Sequence, residues 1–279
     1  MNDKTSFAER FGQIQANLEE AIGDKQTAWL ATLSIVSGMP LLIDSKTSQE
    51  KLARAVANVI SGSCESLGFG FQPLNSNVLY MGNLDNCYCL PAGCLRLASQ
   101  AVGTPPTKNE SIVVLIGHIS PPHSRKSMAS AGLIDQFACF SSVEFDGERV
   151  SMAQAAVTLD DVAEMRKQVR DNVVLDDEAV QFIVRINKAA TPSPSDEIPD
   201  ELNEYVADGP TPRAWVHLAE LSRVVAASQG RTVVSRSDVL ALVEPVLSHR
   251  YRNDTVSPYN RFDLGRRITG AVLAKLEAA

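Results

Sequence analysis

A short apolar run that leads through a polar loop into a helical pattern constrains the fold of this chain more than any other feature. Residues 40–43, Pro-Leu-Leu-Ile, have the length and composition of a buried parallel strand. Thr47 and Glu50 have the spacing of a capping box ahead of apolar residues at helical spacing, so we expect a helix to begin near Ser48. A strand, a loop and a helix in this order form the unit from which α/β domains are built.

Three further short apolar runs continue this pattern through the first half of the chain. They cover residues 77–81, 112–116 and 137–143, and polar segments with glycine and proline separate them. Runs of this length between turn-forming segments are typical of strands. Two helical patterns, over residues 7–22 and 26–36, precede the first strand. We therefore predict an α/β domain over residues 1–155, with a parallel sheet between helices.

The hydrophobic pattern changes near Thr158, where helix start signals replace the apolar runs. Thr158 and Asp161 have capping-box spacing, and so do Ser235 and Asp238. The apolar residues that follow each pair recur at helical spacing. No strand is needed to explain this part of the sequence, so we predict an all-α domain over residues 156–279.

Composition and charge exclude several classes of protein. The 279 residues suffice for about two domains, and the formal net charge of -7 argues against a protein coated by nucleic acid. No stretch has the length of a transmembrane helix, and the first residues lack the pattern of a secretory leader. We therefore expect a cytoplasmic protein without membrane partners, whose cysteines remain reduced thiols.

Three of the cysteines, Cys87, Cys89 and Cys94, lie close enough in sequence to raise the question of a metal site. A structural zinc site usually takes four ligands, and this spacing differs from that of CxxC pairs. The histidines are spread along the chain and form no hydrolase or metalloprotease pattern. We therefore predict no metal site, and the role of the three cysteines stays open.

Three segments of the second half resemble, in the same order, the lid domain of MoxR-type AAA+ ATPases. The first covers residues 157–185, and the second, Gly209-Pro-Thr-Pro-Arg213, is similar to the sensor-2 motif of that family. The third covers residues 230–250 and carries Pro245 inside a helical pattern, which is a rare and therefore specific feature. The resemblance extends more weakly over residues 10–250. It implies an AAA+ type parallel sheet sandwiched by helices and followed by an all-α lid domain.

The resemblance places a phosphate-binding P-loop on residues 43–50, but every defining position differs. Ser48 stands where the second glycine of Gly-x4-Gly-Lys-Ser/Thr would be, Gln49 replaces the lysine, and Glu50 replaces the hydroxyl residue. The glycines let backbone N–H groups surround phosphate, the lysine adds positive charge, and the hydroxyl holds magnesium. Residual nucleotide contacts are then limited to Asp44, Ser45, Lys46, Thr47 and Ser48 of the loop and Arg213 of the lid.

The positions that would cleave the nucleotide are replaced as well. Residues 76–85 resemble a Walker B strand, with Gly82 and Asn83 in place of its Asp-Glu pair. Without these carboxylates, magnesium lacks an anchor and the attacking water lacks the group that orients it. Gln136 stands at the arginine-finger position and cannot supply a fixed positive charge. Arg213 alone remains at a recognised catalytic position, and an ion pair with a carboxylate across the domain seam would also explain it.

We therefore interpret the chain as a catalytically inactive MoxR-like AAA+ subunit, a structural or regulatory component of a protein-remodelling assembly that uses neither ATP nor magnesium. The resemblance implies an oligomer with protein partners, such as an active AAA+ paralogue or a von Willebrand factor A protein. One alternative is an enzyme, an ATPase with displaced catalytic residues. For that alternative Lys46, Thr47 and Arg213 are the minimum nucleotide contacts.

The tail from His249 onward gives a second alternative, because it is rich in arginine. A nucleic-acid-associated factor would use these charges, although few aromatic residues lie among them. The same tail carries an apolar stripe from Phe262 to Leu276 at helical spacing. This stripe either packs on the lid or docks a partner helix.

Overall fold

Five parallel strands form the sheet of the first half. The computed structural model describes residues 6–44, 49–66, 76–84, 114–119, 131–142, 150–192, 198–253 and 257–278. The strands are β1 (Leu41–Asp44), β2 (Cys64–Ser66), β3 (Val78–Asn83), β4 (Val114–Ile119) and β5 (Cys139–Ser142). Their order across the sheet is β2-β3-β4-β1-β5, and every neighbouring pair is parallel. The predicted α/β architecture is therefore confirmed.

Four of these strands lie where the apolar runs predict them, and the edge strand β2 does not. β2 contains only Cys64, Glu65 and Ser66, so it has no apolar run, and it pairs with β3 alone. Its position is fixed by hydrogen bonding to β3, because its own sequence carries no strand signal.

Helices pack against the sheet as expected for this class. They are α1 (Phe7–Ile22), α2 (Lys25–Ser37), α3 (Glu50–Val59) and the short α4 (Ala131–Ile134). Ser6 starts α1 in a capping box with Glu9, and Asp24 caps α2. Gly23 and Gly38 end these two helices in the left-handed conformation that glycine adopts without strain. The two helices predicted ahead of the first strand are therefore confirmed.

Helix α3 begins at Glu50, later than the Thr47 capping box predicts. Thr47 itself lies outside the described residues. Gln49 occupies the cap position, and its backbone N–H donates to the Tyr80 hydroxyl at 3.0 Å. The Glu50 side chain accepts hydrogen bonds from Arg54, one turn further along the helix. The helix therefore begins two residues after the predicted position near Ser48, and the Tyr80 hydroxyl of β3 accepts from the N–H group of its cap residue.

The second half forms a helical lid domain. Its helices are α5 (Leu159–Asn172), α6 (Asp177–Ala190), α7 (Asp200–Asn203), α8 (Pro212–Ser228), α9 (Arg236–Leu247) and α10 (Arg261–Ala278). The capping boxes of Thr158 with Asp161 and of Ser235 with Asp238 are both present, as predicted. Burial opposes ionisation of Asp238, but hydrogen bonds from Arg231 and Ser235 outweigh it and hold the pKa of Asp238 below its usual value.

The expectation that this half contains no strand needs one correction. Strands β6 (Val206–Asp208) and β7 (Arg252–Asn253) form a two-stranded antiparallel ladder, and Arg252 ion-pairs with Asp208 across it. Strands of two or three residues are too short for the alternation of apolar and polar positions that reveals a strand in a sequence. The domain remains predominantly helical.

Helix α10 packs on the lid through the predicted apolar stripe. The buried residues of the stripe are Phe262, Leu264, Ile268, Val272 and Leu276. The packing is closest at Gly265, where an added Cβ would lie 1.7 Å from the carbonyl oxygen of Ser248. The alternative, in which the stripe is a free surface for a partner helix, is therefore wrong.

One hydrophobic core extends through both halves of the described chain. Helix α2 contacts β1 and β5 of the sheet and also α5 and α8 of the lid, and α1 contacts both α3 and α8. Two helices of the α/β half therefore form the surface on which the lid packs. Among the described residues, no helix has the length and apolar character needed to cross a membrane.

Candidate functional site

The carboxyl end of β1 lies at the point where an α/β sheet of this order binds ligands. The chain leaves β1 toward β2 at one edge of the sheet, whereas it leaves the neighbouring strand β4 toward β5 at the other edge. Connections that diverge from neighbouring strands open a crevice beyond their carboxyl ends. Asp44 ends β1 at this crevice, and Gln49 lies at the start of α3. The residues on either side of the P-loop segment, Asp44 and Gln49, therefore fall at the expected ligand site of the fold.

A tyrosine from β3 occupies the start of α3 at this crevice. The hydroxyl of Tyr80 accepts a hydrogen bond from the backbone N–H of Gln49 at 3.0 Å and lies 3.4 Å from Nδ1 of His118 on β4. All three residues are buried. In a P-loop the N–H groups at the start of this helix bind phosphate. Here one of these N–H groups already has a partner from within the protein.

Neither Tyr80 nor His118 was expected at the site from the sequence. Tyr80 lies in the middle of an apolar run, where an aromatic residue is indistinguishable from an ordinary core residue. The available signal was that a buried tyrosine usually finds a hydrogen-bond partner for its hydroxyl. His118 gave a similar signal, because it ends a run of apolar residues that is otherwise typical of a buried strand.

Two carboxylates flank the P-loop positions. Asp44, predicted as a residual nucleotide contact, is buried, and Ser142 of β5 donates to its Oδ2 at 3.4 Å. Glu50 lies in the first turn of α3 and ion-pairs with Arg54 at 2.7 Å. A carboxyl group supplies no positive charge, whereas a P-loop places a lysine at this point.

Gly82 lies at the position that the resemblance gives to the first Walker B carboxylate. It adopts φ 70°, in the left-handed region that favours glycine. Tyr80 pairs with Ile116 and Asn83 pairs with His118, so β3 contains one more residue than β4 between these two pairs. This is the geometry of a β-bulge, which redirects the side chains that follow it. The end of β3 therefore differs from a regular Walker B strand in its backbone as well as in its side chains.

Asp135 connects the α/β domain to the lid. Its carboxylate accepts hydrogen bonds from the Thr211 hydroxyl at 2.9 Å and from Nη1 of Arg213 at 2.8 Å, and it also ion-pairs with Arg250. Asp135 follows α4 of the α/β domain, whereas its three partners belong to the lid. A single buried carboxylate thus holds two arginines and one hydroxyl of the neighbouring domain.

The Arg250 guanidinium is buried at this seam and is surrounded by acceptors. It donates to the backbone carbonyls of Asp135, Phe137 and Val246 at 3.0, 2.6 and 2.7 Å. Its Nη2 also lies 2.7 Å from Nδ1 of His217. Burial, reinforced by the charges of nearby arginines, lowers the pKa of His217 to about 2. The imidazole is therefore neutral, and its Nδ1 accepts from Arg250.

The two predicted arginine-related positions are now accounted for. Arg213, at the sensor-2 position, ion-pairs with Asp135, so the explanation by a carboxylate across the domain seam is confirmed. Gln136, at the arginine-finger position, donates through Nε2 to the carbonyl of Gly132 in α4 at 3.2 Å. Its amide therefore supports the local turn and carries no charge.

A second, half-buried arginine fastens the lid at a different place. Arg166 of α5 donates through Nε and Nη2 to the carbonyl of Ile35 near the end of α2, at 3.1 and 2.7 Å. Burial lowers the pKa of Arg166 to about 10, which leaves the guanidinium charged at neutral pH. A cation at the carboxyl end of a helix also interacts favourably with the helix dipole. The lid is thus attached by Arg166 to α2 and by Arg250 to the segment after α4.

Several predicted positions lie outside the described residues. These are Ser45, Lys46, Thr47 and Ser48 of the P-loop segment and Cys87, Cys89 and Cys94 of the cysteine cluster. The side chain of Asn83 is not described either. Among the residues that are described, no group of histidine, cysteine, aspartate and glutamate could hold a metal ion.

The arginines of the tail are largely engaged with the protein itself. Arg250 is buried, Arg252 ion-pairs with Asp208, and Arg266 ion-pairs with Asp263. The Arg267 guanidinium lies 4.9 Å from the centre of the Tyr259 ring. Of these four arginines, Arg250 is withdrawn from the surface, whereas Arg252, Arg266 and Arg267 stay exposed or half-buried.

A parallel sheet ordered β2-β3-β4-β1-β5, followed by a helical lid, defines an AAA+ type fold. Residues 202–262 match a family model described as the AAA lid domain. The chain is similar to the crystal structure of a candidate ATPase from Cytophaga hutchinsonii, with a TM-score of 0.70, 14% sequence identity and 95% of each chain covered. At that identity the likeness shows the fold alone. No curated protein matches the chain.

Proposed function

We propose that this chain is a non-hydrolysing, MoxR-like AAA+ subunit that serves as a structural or regulatory component of a protein-remodelling assembly. The observation that carries the proposal is the hydrogen bond from the Gln49 N–H group to the Tyr80 hydroxyl. It engages the helix start that a P-loop uses for phosphate. A P-loop also has a lysine and a hydroxyl residue at this point of the chain. Here Gln49 and Glu50 occupy those two positions.

The remaining catalytic positions support the same proposal. Hydrolysis needs a magnesium anchor, a group that orients water and a cation that stabilises the developing charge. The first two positions carry Gly82 and Asn83, and the arginine-finger position carries Gln136. Arg213 retains its charge but is ion-paired with Asp135. The residues described at the site do not fit a triphosphate with magnesium.

A fold retained without its nucleotide chemistry is useful as a binding scaffold. Both domains and the contacts between them are present, so surfaces for neighbouring subunits are available even without turnover. The partner that fits best is an active AAA+ paralogue or a von Willebrand factor A protein, as the MoxR resemblance implies. Any ATP turnover then belongs to that partner.

Nucleotide binding is tested by thermal unfolding of the full chain with and without millimolar ATP and magnesium. A ligand at about 100 times its Kd stabilises a protein by about 2.7 kcal/mol, so binding in the micromolar range would be visible. We expect no shift and no phosphate release above the buffer control. A saturable shift that Arg213→Ala removes, together with phosphate release, would instead establish the ATPase alternative.

Assembly is tested separately, by measuring the size of the complex isolated from native cells and identifying its components. We expect a particle larger than the monomer that contains an active AAA+ subunit or a von Willebrand factor A protein. A chain that migrates alone at monomer size, in extracts where known assemblies stay intact, would contradict the proposed role.

A further inference from the structure

The lid contains a groove between α6 and the segment 231–236 that leads into α9, far in sequence from the P-loop positions. Its volume is about 510 Å³, which is within the range of ligand-binding pockets. The residues that give the groove its chemistry are Phe182, Arg185, Arg231, Val233 and Arg236. We call this feature the lid groove.

Two of the three arginines of the lid groove carry charges that no carboxylate among the described residues neutralises. Arg231 is ion-paired with Asp238, which is buried behind it. Arg236 lies over the Phe182 ring at 4.7 Å and donates to a backbone carbonyl of α10, and no described acidic group pairs with it or with Arg185. Two unneutralised cations in one groove stand out in a chain with a net charge of -7.

The opposite end of the lid groove is acidic. Asp176 and Glu178 line it at the start of α6, and Asp176 caps this helix by accepting from the Ala179 N–H group at 2.9 Å. Arg185 lies about two turns further along the same helix. The charge of the lid groove therefore changes along its length. An acidic ligand group is attracted to the part lined by Arg185 and Arg236.

Apolar groups lie beside these charges. Phe182 lines the lid groove, and Val233 on its rim is 42% exposed. Val233 pairs in a parallel β-bridge with Val174, which is 53% exposed. These two valines give the rim of the lid groove a small apolar strip.

We propose that the lid groove binds an acidic peptide segment of a partner protein. A carboxylate of the peptide pairs with Arg185 and Arg236, since a guanidinium binds a carboxylate through two parallel hydrogen bonds. An apolar side chain next to that carboxylate packs on the exposed Val233. This inference is independent of the nucleotide chemistry, because the groove and the P-loop positions lie in different domains.

The test measures fluorescence anisotropy of a labelled peptide of alternating aspartate and leucine against the full chain. Arg185→Glu reverses the charge in the groove, and Lys188→Glu is its matched control, because it makes the same charge change on the same helix at an exposed position outside the groove. We expect Arg185→Glu to weaken binding by at least about tenfold, as the loss of one charge-assisted pair predicts. Lys188→Glu should leave binding nearly unchanged.

Two further peptides complete the test. A peptide of alternating lysine and leucine should bind at least about tenfold more weakly, and so should one of alternating aspartate and alanine. The proposal is overturned if the wild-type chain does not bind the acidic peptide, if the lysine peptide binds equally well, or if both charge reversals weaken binding alike. It is also overturned if the chain self-associates and Arg185→Glu abolishes this, because the groove would then bind a second copy. Equal thermal unfolding temperatures verify that the variants are folded.

Discussion

The seam between the two domains depends on the Asp135 carboxylate, and the substitution Asp135→Asn tests this directly. The carboxylate is buried and ion-pairs with Arg250, whose side chain is 1% exposed, and with Arg213, whose side chain is 40% exposed. Asparagine keeps the shape of the side chain, removes its charge and replaces one acceptor oxygen with an NH2 donor. The buried guanidinium of Arg250 is then left without a counter-charge.

The two ion pairs differ in their expected contribution to the free energy of unfolding. Breaking a buried pair by removing one partner costs about 3–5 kcal/mol, whereas a solvent-exposed pair contributes about 0–1 kcal/mol. Backbone carbonyls still accept from Arg250 after the substitution, so we expect the lower end of the range, about 3 kcal/mol, for Asp135→Asn. For Arg213→Gln we expect about 1 kcal/mol or less.

Urea unfolding followed by circular dichroism gives these free energies. Fluorescence is a second probe, because Trp29 lies on α2 and Trp215 lies on α8, one on each side of the seam. If Asp135→Asn loosens the lid before the core unfolds, the two probes give different transitions, which a two-state protein does not show. Arg250→Met completes a double-mutant cycle with Asp135→Asn, and the two losses should not add.

Two results would refute this reasoning. Arg213→Gln could cost as much as Asp135→Asn, in which case the exposed pair holds the lid. Alternatively, Asp135→Asn could cost less than about 1 kcal/mol, the value of an ordinary surface pair. The buried Arg250 would then not need its counter-charge.

The remaining predictions concern packing, acid stability and thiol reactivity. Gly265→Ala should destabilise the chain by about 3 kcal/mol in urea unfolding, because the added Cβ meets the Ser248 carbonyl. Gly270→Ala in the same helix is the control: its added Cβ meets open space, so this substitution should be neutral or stabilising. The pKa of Asp238 is lowered in the folded chain, so its contribution to stability is present above the ordinary pKa of 3.8 and is lost as the pH falls through the folded value. The free energy of unfolding measured below pH 4 should therefore decline less in Asp238→Asn than in the wild-type chain. Burial raises the pKa of Cys139 to about 12, so mass spectrometry should find it unmodified by iodoacetamide at pH 8 until the chain is unfolded.

Periodicity and capping signals in the sequence predict most of the secondary structure, because both are local. The boxes at Thr158 and Ser235 each need only a partner three residues away, and both form. Helix α3 begins at Glu50, two residues after the predicted Ser48, and its cap residue Gln49 bonds to Tyr80 of another strand, a contact that no local signal contains. β2 and the β6–β7 ladder escape prediction for the same reason, since their formation depends on a neighbouring strand and not on their own sequence.

The candidate site is predictable only in part, for a related reason. Alignment of the sequence with the P-loop and Walker B motifs predicts which groups are replaced at Gln49, Glu50 and Gly82, because it needs only the positions along the chain. It does not reveal what replaces them. The pair of Asp135 with Arg250 joins residues 115 positions apart, and no spacing rule predicts such a pair.

The left-handed conformation of Gly82 limits which residues this position accepts. An aspartate there would store backbone strain of about 1 kcal/mol or more. This strain is set by the backbone alone, so a carboxylate enters at this position only with a loss of stability. Under the proposed function, restoring the Walker B aspartate by itself would therefore weaken the fold without supplying the other groups that hydrolysis needs.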